Sequence, residues 1–299
     1  MAAPLRIGVI GAGWIATDHV VVLRRLGHEI AAVCDLDPKR AARLAPEGAR
    51  TYASWEELLE REEGLDAVWV ATPPLLHRAP AVAAMERGLP VFLEKPVART
   101  LDDARAIVAA AHATGVVCAV GYQWHAAEVL DEARRILAGR TIGCLVGQSV
   151  GGTQSRPWFL DRAEGGGNLL ERGSHHIDLA RALAGEIVAV QAAASSVRLA
   201  PRPADGGDID DAVTLILHFA SGGIGTIVVA WTSDGLPGSY WVEVTARDAA
   251  LHLDLDPHFR IHGFSDGAPV ESGSHTSPFE RSVDRFVTAA RAGDPGVVF

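Results

Sequence analysis

A glycine-rich segment separates the first predicted strand from the first predicted helix. Leu5–Ile10 is an apolar run typical of a buried strand, and Trp14–Leu26 has the periodicity of a helix. Between them, Gly11 permits a tight turn, Gly13 lets the backbone approach a pyrophosphate, and Ala16 allows close packing of helix on strand. A tight turn without a ligand is the alternative. The context favours a dinucleotide site, because the N–H groups and dipole of a helix N-terminus attract phosphate.

Strands and helices continue to alternate up to Gly121. Further strands are predicted at Ile30–Cys34, Ala67–Ala71, Val91–Leu93 and Val116–Val120. Helices are predicted after Asp37, after Ser54, at His77–Arg87 and at Leu101–Ala113. This order is typical of βαβ units and predicts a doubly wound parallel sheet.

The pattern changes after Gly121 to closely spaced strands. The predicted elements are a helix at Ala126–Leu137, a strand at Cys144–Val150, an irregular stretch at Gly151–Gly167, a helix at Asn168–Leu183, strands at Ile187–Val197, Ala212–Phe219, Ile224–Trp231, Tyr240–Thr245 and Ala250–Leu253, and a helix at Phe279–Ala292. Short connections predict a mostly antiparallel sheet. The sequence therefore predicts an α/β protein with a dinucleotide-binding domain at 1–121 and a second domain at 122–299.

Composition excludes several classes of partner. The chain has 299 residues and a formal net charge of −10, with no basic stripe, so a nucleic-acid partner is not expected. No apolar run has the length that a membrane span requires. The three cysteines, Cys34, Cys118 and Cys144, are odd in number and lack C-x-x-C spacing. We expect reduced thiols and a cytoplasmic protein.

Two later segments add to the predicted dinucleotide site. Asp35 ends the second predicted strand, where a carboxylate can bind ribose hydroxyls and repels a 2′-phosphate. We therefore expect NAD, although the nearby Lys39 and Arg40 leave NADP open. Thr72-Pro73 and His77 follow the carboxyl end of another strand, where open parallel sheets bind ligands. A proline-stiffened loop with a structural histidine is an equal alternative.

Lysine is scarce in this chain. Of 27 basic residues, only Lys39 and Lys95 are lysine. A lysine retained in an arginine-biased sequence indicates a role that arginine cannot fill, such as sharing or releasing a proton. Lys95 lies in Glu94-Lys95-Pro96 beyond a strand end, and the proline favours a cis bond or a rigid turn. An exposed surface lysine is the alternative.

A candidate acid/base pair lies in the predicted helix Asn168–Leu183. Glu171 and His175 are i, i+4 neighbours there, and a carboxylate stabilises a protonated imidazole. A capping or core histidine is the alternative. A metal site is disfavoured, because no third ligand and no H-E-x-x-H motif are present. Trp158 is a candidate pocket wall, although core packing is the usual role of tryptophan.

The segments, taken in order, resemble the Gfo/Idh/MocA family, the relatives of glucose–fructose oxidoreductase and inositol dehydrogenase. The matching motifs are Gly11-Ala12-Gly13, Thr72-Pro73, Glu94-Lys95-Pro96, Gly121-Tyr122-Gln123 and Gly166–Asp178. The resemblance implies a Rossmann domain, a C-terminal α/β domain with an open sheet, and a nicotinamide cofactor. It also implies sugar, cyclitol, polyol or ketone substrates and a homo-oligomer, either a dimer or a tetramer.

The resemblance also implies roles for single residues. Lys95 would orient the reacting oxygen, His175 would donate and accept the proton, and Glu171 stands where the family usually has aspartate. The cofactor-binding set is Gly11, Gly13, Trp14, Ile15, Asp35, Thr72, Pro73, His77, Glu94 and Lys95. The substrate-binding set is Lys95, Gln123, His125, Trp158 and His175.

Two further departures from the family concern recognition and length. His125 replaces an arginine found in many relatives. The chain also stops at Phe299, where relatives usually continue with helical sequence, so either it is truncated and lacks a C-terminal helix or this terminus is unusual. The sequence predicts an NAD(P)-dependent oxidoreductase that moves a hydride between nicotinamide and a carbon bearing a hydroxyl or carbonyl. A dinucleotide-binding regulator or sensor without turnover is the alternative, and glycoside cleavage through transient oxidation is a third.

Overall fold

The computed structural model describes residues 3–153, 156–197 and 209–294, which divide into two compact units. The second unit comprises Tyr122–Phe279. The first unit comprises the residues before Tyr122 and those from Glu280 onward. The structure therefore differs from the predicted second domain at 122–299, because the last helix belongs to the first unit. The chain end at Phe299, on which the expectation of a missing helix depends, lies outside the described residues.

The first unit contains a parallel sheet of six strands. In chain order they are β1 (Arg6–Ile10), β2 (Glu29–Cys34), β3 (Arg50–Tyr52), β4 (Ala67–Val70), β5 (Val91–Leu93) and β6 (Cys118–Val120). Their order in the sheet is β3-β2-β1-β4-β5-β6, and all five pairings are parallel. The predicted doubly wound architecture is confirmed. The strand β3 was not predicted; its Arg50 and Thr51 are exposed at the sheet edge.

Five helices connect these strands. They are α1 (Trp14–Arg25), α2 (Pro38–Leu44), α3 (Trp55–Arg61), α4 (Arg78–Glu86) and α5 (Leu101–Thr114). Side chains cap three of them: Asp37 accepts from the Lys39 N–H, Ser54 from the Glu57 N–H, and Thr100 from the Asp103 N–H. Such caps satisfy backbone donors that a helix leaves unpaired. A 3₁₀ turn at Pro74–Leu76 precedes α4, which therefore begins later than predicted.

Within the described residues, the second unit contains an eight-stranded sheet and two α-helices. The helices are α6 (Glu128–Leu137) and α7 (Ser174–Ala184). The strands are β7 (Ile142–Gly151), β8 (Ile187–Ser195), β9 (Ala212–Phe219), β10 (Ile224–Trp231), β11 (Ser239–Ala246), β12 (Ala249–Asp254), β13 (Arg260–Ser265) and β14 (Ala268–Gly273). Their order is β14-β13-β12-β11-β7-β10-β9-β8. Of the pairs among these described strands, β7 with β10 is parallel and the others are antiparallel. The predicted mostly antiparallel sheet is confirmed, with β13 and β14 as additional strands.

One face of this sheet packs against α6 and α7. The core includes Val129 and Leu130 from α6, Leu179 from α7, and Leu145 and Val242 from the sheet. Short helical turns replace parts of two predicted helices. A 3₁₀ turn at Gln123–Ala126 precedes α6, and a π-helical turn at Leu169–Gly173 precedes α7. A further 3₁₀ turn, Pro157–Leu160, interrupts the stretch that was expected to be irregular.

The last helix, α8 (Pro278–Ala292), covers an aromatic cluster of the first unit. Its Phe286 ring meets Trp69 of β4 and Phe92 of β5 edge on, at centroid distances of 4.9 and 5.6 Å. Val283 and Phe286 are fully buried. Aromatic burial of this extent stabilises the folded state, and the i, i+3 spacing of these residues places them on one helix face. The helix is therefore part of the core of the first unit, although it follows the second unit in sequence.

Candidate active site

Four loops leave the carboxyl edge of the first sheet side by side. Backbone hydrogen bonds of 2.8 Å each join Gly11 N to Cys34 O, Ala71 N to Ile10 O, Glu94 N to Val70 O, and Gly121 N to Leu93 O. These bonds continue the strand pairing by one residue beyond the strand ends. The glycine turn, the Thr72 loop and the Lys95 loop therefore start at one sheet edge, the place where open parallel sheets bind ligands.

The glycine turn has the geometry that a pyrophosphate requires. Gly11 has φ of +97°, and a Cβ there would lie 2.6 Å from the carbonyl oxygen of Ala71, so only glycine fits. A Cβ on Gly13 would meet nothing within 4 Å, and no side chain caps the helix that starts there. The glycine turn thus leads into a helix start without a side-chain cap, the kind of position that binds phosphate, and the residues present fit a dinucleotide.

Asp35 fixes the glycine turn from the end of β2. Its Oδ2 accepts the Ala12 N–H at 2.8 Å, and its Oδ1 accepts the Asp37 N–H at 2.8 Å. An ionised carboxylate has about four acceptor positions, so these two bonds leave acceptor capacity for ribose hydroxyls. Lys39 and Arg40, the two cations that could bind the 2′-phosphate of NADP, lie on α2. The Arg40 guanidinium is 3.5 Å from the Asp37 carboxylate.

Thr72 and His77 have different environments at this edge. Thr72 Oγ1 is buried and has no hydrogen-bond partner among the described residues, so it is a candidate cofactor contact. His77 is fully buried, with Nε2 2.8 Å from Thr72 O and Nδ1 3.1 Å from Val97 O. Burial lowers the pKa of His77 below its usual value. Both ring nitrogens face backbone carbonyls, so His77 joins two loops instead of presenting a nitrogen to a cofactor.

In the Lys95 loop the bond between Lys95 and Pro96 is cis, the first of the two alternatives that the sequence offered. The lysine is half-buried. Glu94 is buried, and its Oε1 lies 2.6 Å from Nε2 of His19 while its Oε2 accepts the Lys95 N–H at 3.0 Å. The structure thus directs Glu94 toward the interior, contrary to its predicted place among cofactor ligands. Sequence reasoning missed His19, although it follows Ala16 at the i+3 position on the buried face of α1.

His175 of the second unit lies among aromatic rings. It is 2% exposed, and its ring centroid is 4.5 Å from that of Trp124 and 5.8 Å from that of Tyr122. Glu171 belongs to the π-helical turn, so the predicted α-helical spacing to His175 does not apply along the whole segment. The Glu171 carboxylate lies 3.6 Å from Nε of Arg172. The acid/base pairing of Glu171 with His175 stays a prediction.

The other candidate substrate residues have distinct surroundings. His125 is buried, and its Nδ1 lies 3.0 Å from Oδ2 of Asp178 on α7. Gln123 opens the 3₁₀ turn before α6 and is half-buried. Trp158 stacks on Phe159 with a centroid distance of 3.9 Å and packs against a small apolar cluster. Core packing therefore accounts for much of the Trp158 surface.

Two further features bear on the class of protein. No group of three or more His, Cys, Asp or Glu side chains within the described residues could hold a metal ion. No helix in the described ranges is both long enough and apolar enough to cross a membrane. A glycine turn at the carboxyl edge of an open parallel sheet is a feature of dinucleotide-dependent enzymes.

Comparison with known families agrees with the fold and the glycine turn. Residues 5–122 match a model described as an oxidoreductase family with an NAD-binding Rossmann fold. Residues 130–263 match the GFO/IDH/MocA C-terminal domain. These matches define a nicotinamide-dependent oxidoreductase. The chain belongs to the Gfo/Idh/MocA family.

Named relatives act on carbohydrates, as their names state. The chain is 35% identical over 185 residues to 1,5-anhydro-D-fructose reductase of Ensifer adhaerens. The aligned region covers 59% of this chain and 55% of that protein. It is 30% identical over 267 residues to D-apiose dehydrogenase of Paraburkholderia graminis. This aligned region covers 85% of this chain and 68% of that protein. The crystal structure of GenD2 from gentamicin A biosynthesis in complex with NAD has a TM-score of 0.82 and 26% identity, and covers 100% of this chain and 91% of that one.

Proposed function

We propose that this chain is an NAD-dependent dehydrogenase that interconverts a hydroxyl and a carbonyl on a sugar or a related polyol. The observation that carries the proposal is that the glycine turn, the Thr72 loop and the Lys95 loop leave the same edge of the first sheet. Family membership and the carbohydrate relatives support the substrate class. When bound, the nicotinamide supplies a hydride acceptor or donor.

The residues of the first unit would bind the cofactor and polarise the substrate. The N–H groups at the start of α1 bind the pyrophosphate, Asp35 binds the ribose hydroxyls, and Thr72 Oγ1 donates to the cofactor. Lys95 donates a hydrogen bond to the reacting oxygen and stabilises the negative charge that develops there. These four roles are supported by the position of the loops at one edge of the first sheet.

The second unit would supply the proton transfer. His175 takes the hydroxyl proton during oxidation and returns it during reduction, while Glu171 supports the protonated imidazole. Gln123, His125 and Trp158 are the proposed substrate contacts, with His125 oriented by its bond to Asp178. The deciding experiment follows the nicotinamide absorbance band with NAD or NADP and a panel that includes D-apiose, 1,5-anhydro-D-fructose, inositols and aldoses.

The same experiment decides between NAD and NADP. We expect turnover with NAD, because the Asp35 carboxylate repels a 2′-phosphate. The matched variant Asp35→Ala should lose preference for NAD and gain relative activity with NADP. A wild-type preference for NADP would contradict this part of the proposal.

A regulator without turnover is the second candidate, and it also binds the dinucleotide. Tight NADH binding, followed by fluorescence, together with no turnover across the panel would favour it.

We also propose a homo-oligomer, since the sheet face turned away from α6 and α7 exposes the apolar side chains Ile216, Ile224 and Phe264. Light scattering after size-exclusion chromatography tests this, and a monomer at micromolar concentration would contradict it.

A further inference from the structure

Glu94 is a buried carboxylate that the proposed chemistry does not use directly. It is 5% exposed, and each of its oxygens has a different partner. Oε2 accepts the backbone N–H of Lys95 at 3.0 Å, whereas Oε1 lies 2.6 Å from Nε2 of His19. A buried carboxylate is costly unless it is hydrogen-bonded, so these contacts fix its orientation. The Lys95 backbone is thereby connected to α1.

The His19 ring has little room to move. It is 1% exposed and packs edge on against Phe92 at a centroid distance of 5.0 Å, with Trp69 at 5.9 Å. His19 lies on the helix that begins at the glycine turn, so a rigid ring here connects that helix to the Lys95 loop. Packed aromatic rings of this kind hold a hydrogen-bonding group in one rotamer.

The backbone of Gly121 lies close to the Glu94 carboxyl group, with no space for a side chain between them. A Cβ on Gly121 would lie 2.9 Å from Glu94 Oε1 and 3.2 Å from its Cδ. Contacts this short require the carboxylate to shift. The backbone at Gly121 is held by its hydrogen bond to Leu93 O, so the side chain of Glu94 would be the part that moves.

His77 holds the other end of the same loop. Its Nδ1 faces Val97 O, two residues beyond Lys95, and its Nε2 faces Thr72 O. The segment that carries Lys95 is therefore anchored before the lysine through Glu94 and after it through Val97. The first contact involves His19 of α1, and the second involves His77 just before α4; both histidines are buried.

We infer that His19 is a positioning residue that acts through Glu94 to set the place of the Lys95 side chain relative to the glycine turn. The inference rests on the proposed role of Lys95. Displacing a catalytic group by about 1 Å can lower turnover about 10²-fold, so an anchor of this kind would matter to the reaction.

The scarcity of lysine gives a direct test. Reductive methylation with ¹³C-formaldehyde labels the amines of Lys39, Lys95 and the chain terminus, and NMR resolves each methyl signal. Lys39 is exposed on α2 and serves as the internal control. The variants are His19→Gln and His19→Asn. The glutamine amide reaches the place of Nε2, whereas the asparagine amide reaches only that of Nδ1.

We expect His19→Asn to shift the Lys95 signal and His19→Gln to leave it near its wild-type position, with Lys39 unmoved in both. NADH affinity, measured by fluorescence, should change less than about threefold, while kcat on the substrate found in the panel should fall about 10²-fold in His19→Asn alone. An unmoved Lys95 signal in folded His19→Asn, or equal shifts in the two variants, would overturn the inference.

Gly121→Ala provides a second route if His19→Asn does not fold. Its added methyl group displaces the Glu94 carboxylate and leaves His19 in place, so the Lys95 signal should shift as well. An unmoved signal there would also overturn the inference. Failure of the proposed function is a separate result: if Lys95→Ala keeps full turnover, the catalytic role of Lys95 falls, while the NMR comparison still decides whether His19 positions it.

Discussion

The indole ring of Trp124 lies beside the imidazole of His175, with the centroids 4.5 Å apart and the ring planes inclined by 31°. Both side chains are 2% exposed. An aromatic face of this kind restricts the imidazole to few rotamers. Relative to the rest of the second unit, His175 is therefore held by packing as well as by its helix.

The first prediction concerns this packing. Trp124→Leu should lower kcat about tenfold or more, because a loosened imidazole loses its approach geometry. Trp124→Phe keeps an aromatic face and should retain most of the activity. Steady-state kinetics checks both variants, with thermal unfolding as the control for stability. Equal losses in the two variants would mean that volume, and not the ring face, matters.

The second prediction concerns Lys95. Lys95→Ala should leave NADH affinity nearly unchanged and lower kcat by about 10²-fold or more, since one charge-stabilising donor is lost. Lys95→Arg should also be poor, because the planar guanidinium cannot present its donors to the reacting oxygen as the compact ammonium group does. Lys39→Ala is the matched control and should behave as wild type. Near-normal turnover in Lys95→Arg would contradict the argument from lysine scarcity.

The third prediction concerns the glycine turn. Gly11→Ala places a Cβ against the Ala71 carbonyl at a positive φ, so the turn must deform. NADH binding measured by fluorescence should weaken by at least about tenfold, which corresponds to about 1.4 kcal/mol. Gly27 also has positive φ but open space around its Cβ, so Gly27→Ala serves as a control for backbone strain alone. Comparable loss of NADH binding in both variants would argue against a specific phosphate turn.

The fourth prediction concerns acid stability. His176 is fully buried, and burial lowers its pKa from 6.5 to about 4. Between these values the unfolded chain takes up a proton that the folded chain does not bind, so the free energy of unfolding falls as the pH drops. The loss should approach about 3 kcal/mol by pH 4.

Urea unfolding near neutral pH and near pH 4 checks this dependence. The variant His176→Asn lacks the titrating ring and should lose less stability on acidification than wild type. Carboxylates contribute to the acid response of both proteins, so the difference between them is the relevant quantity. Parallel pH profiles would show that His176 titrates normally or stays uncharged in both states.

The fifth prediction concerns α8. Phe286→Ala should destabilise the first unit by about 3–5 kcal/mol, because a buried ring is replaced by a cavity beside the stacked rings of Trp69 and Phe92. Phe286→Leu should cost less. Denaturant unfolding followed by tryptophan fluorescence measures both. A change below about 1 kcal/mol in Phe286→Ala would indicate that the helix contributes little to this core.

The sequence predicted most of the fold where the signal is local. The glycine turn, the strands of the first sheet and the caps at Asp37, Ser54 and Thr100 depend on residues close in the chain. The strand β3 escaped because an exposed edge strand needs no apolar run, and Arg50-Thr51-Tyr52 offers none. The π-helical turn at Leu169–Gly173 also has no simple pattern in the sequence.

Long-range relationships could not be predicted in the same way. His19 and Glu94 are 75 residues apart, and neither position alone indicates the other. The amphipathic pattern of α8 predicts a helix but does not say which unit it covers. Lys95 and His175 were identified from the sequence as candidate catalytic residues. They belong to different units, so their joint role in one reaction stays a prediction.

The return of α8 to the first unit makes the nucleotide-binding half a split module. A fragment ending at Gly121 would leave the stacked rings of Trp69 and Phe92 exposed to water. Such a fragment should aggregate or bind chaperones, whereas adding α8 back through a short linker should restore a soluble nucleotide binder. The intervening unit is thus inserted between two segments of the chain that build one hydrophobic core, so both segments are needed to fold the nucleotide-binding half.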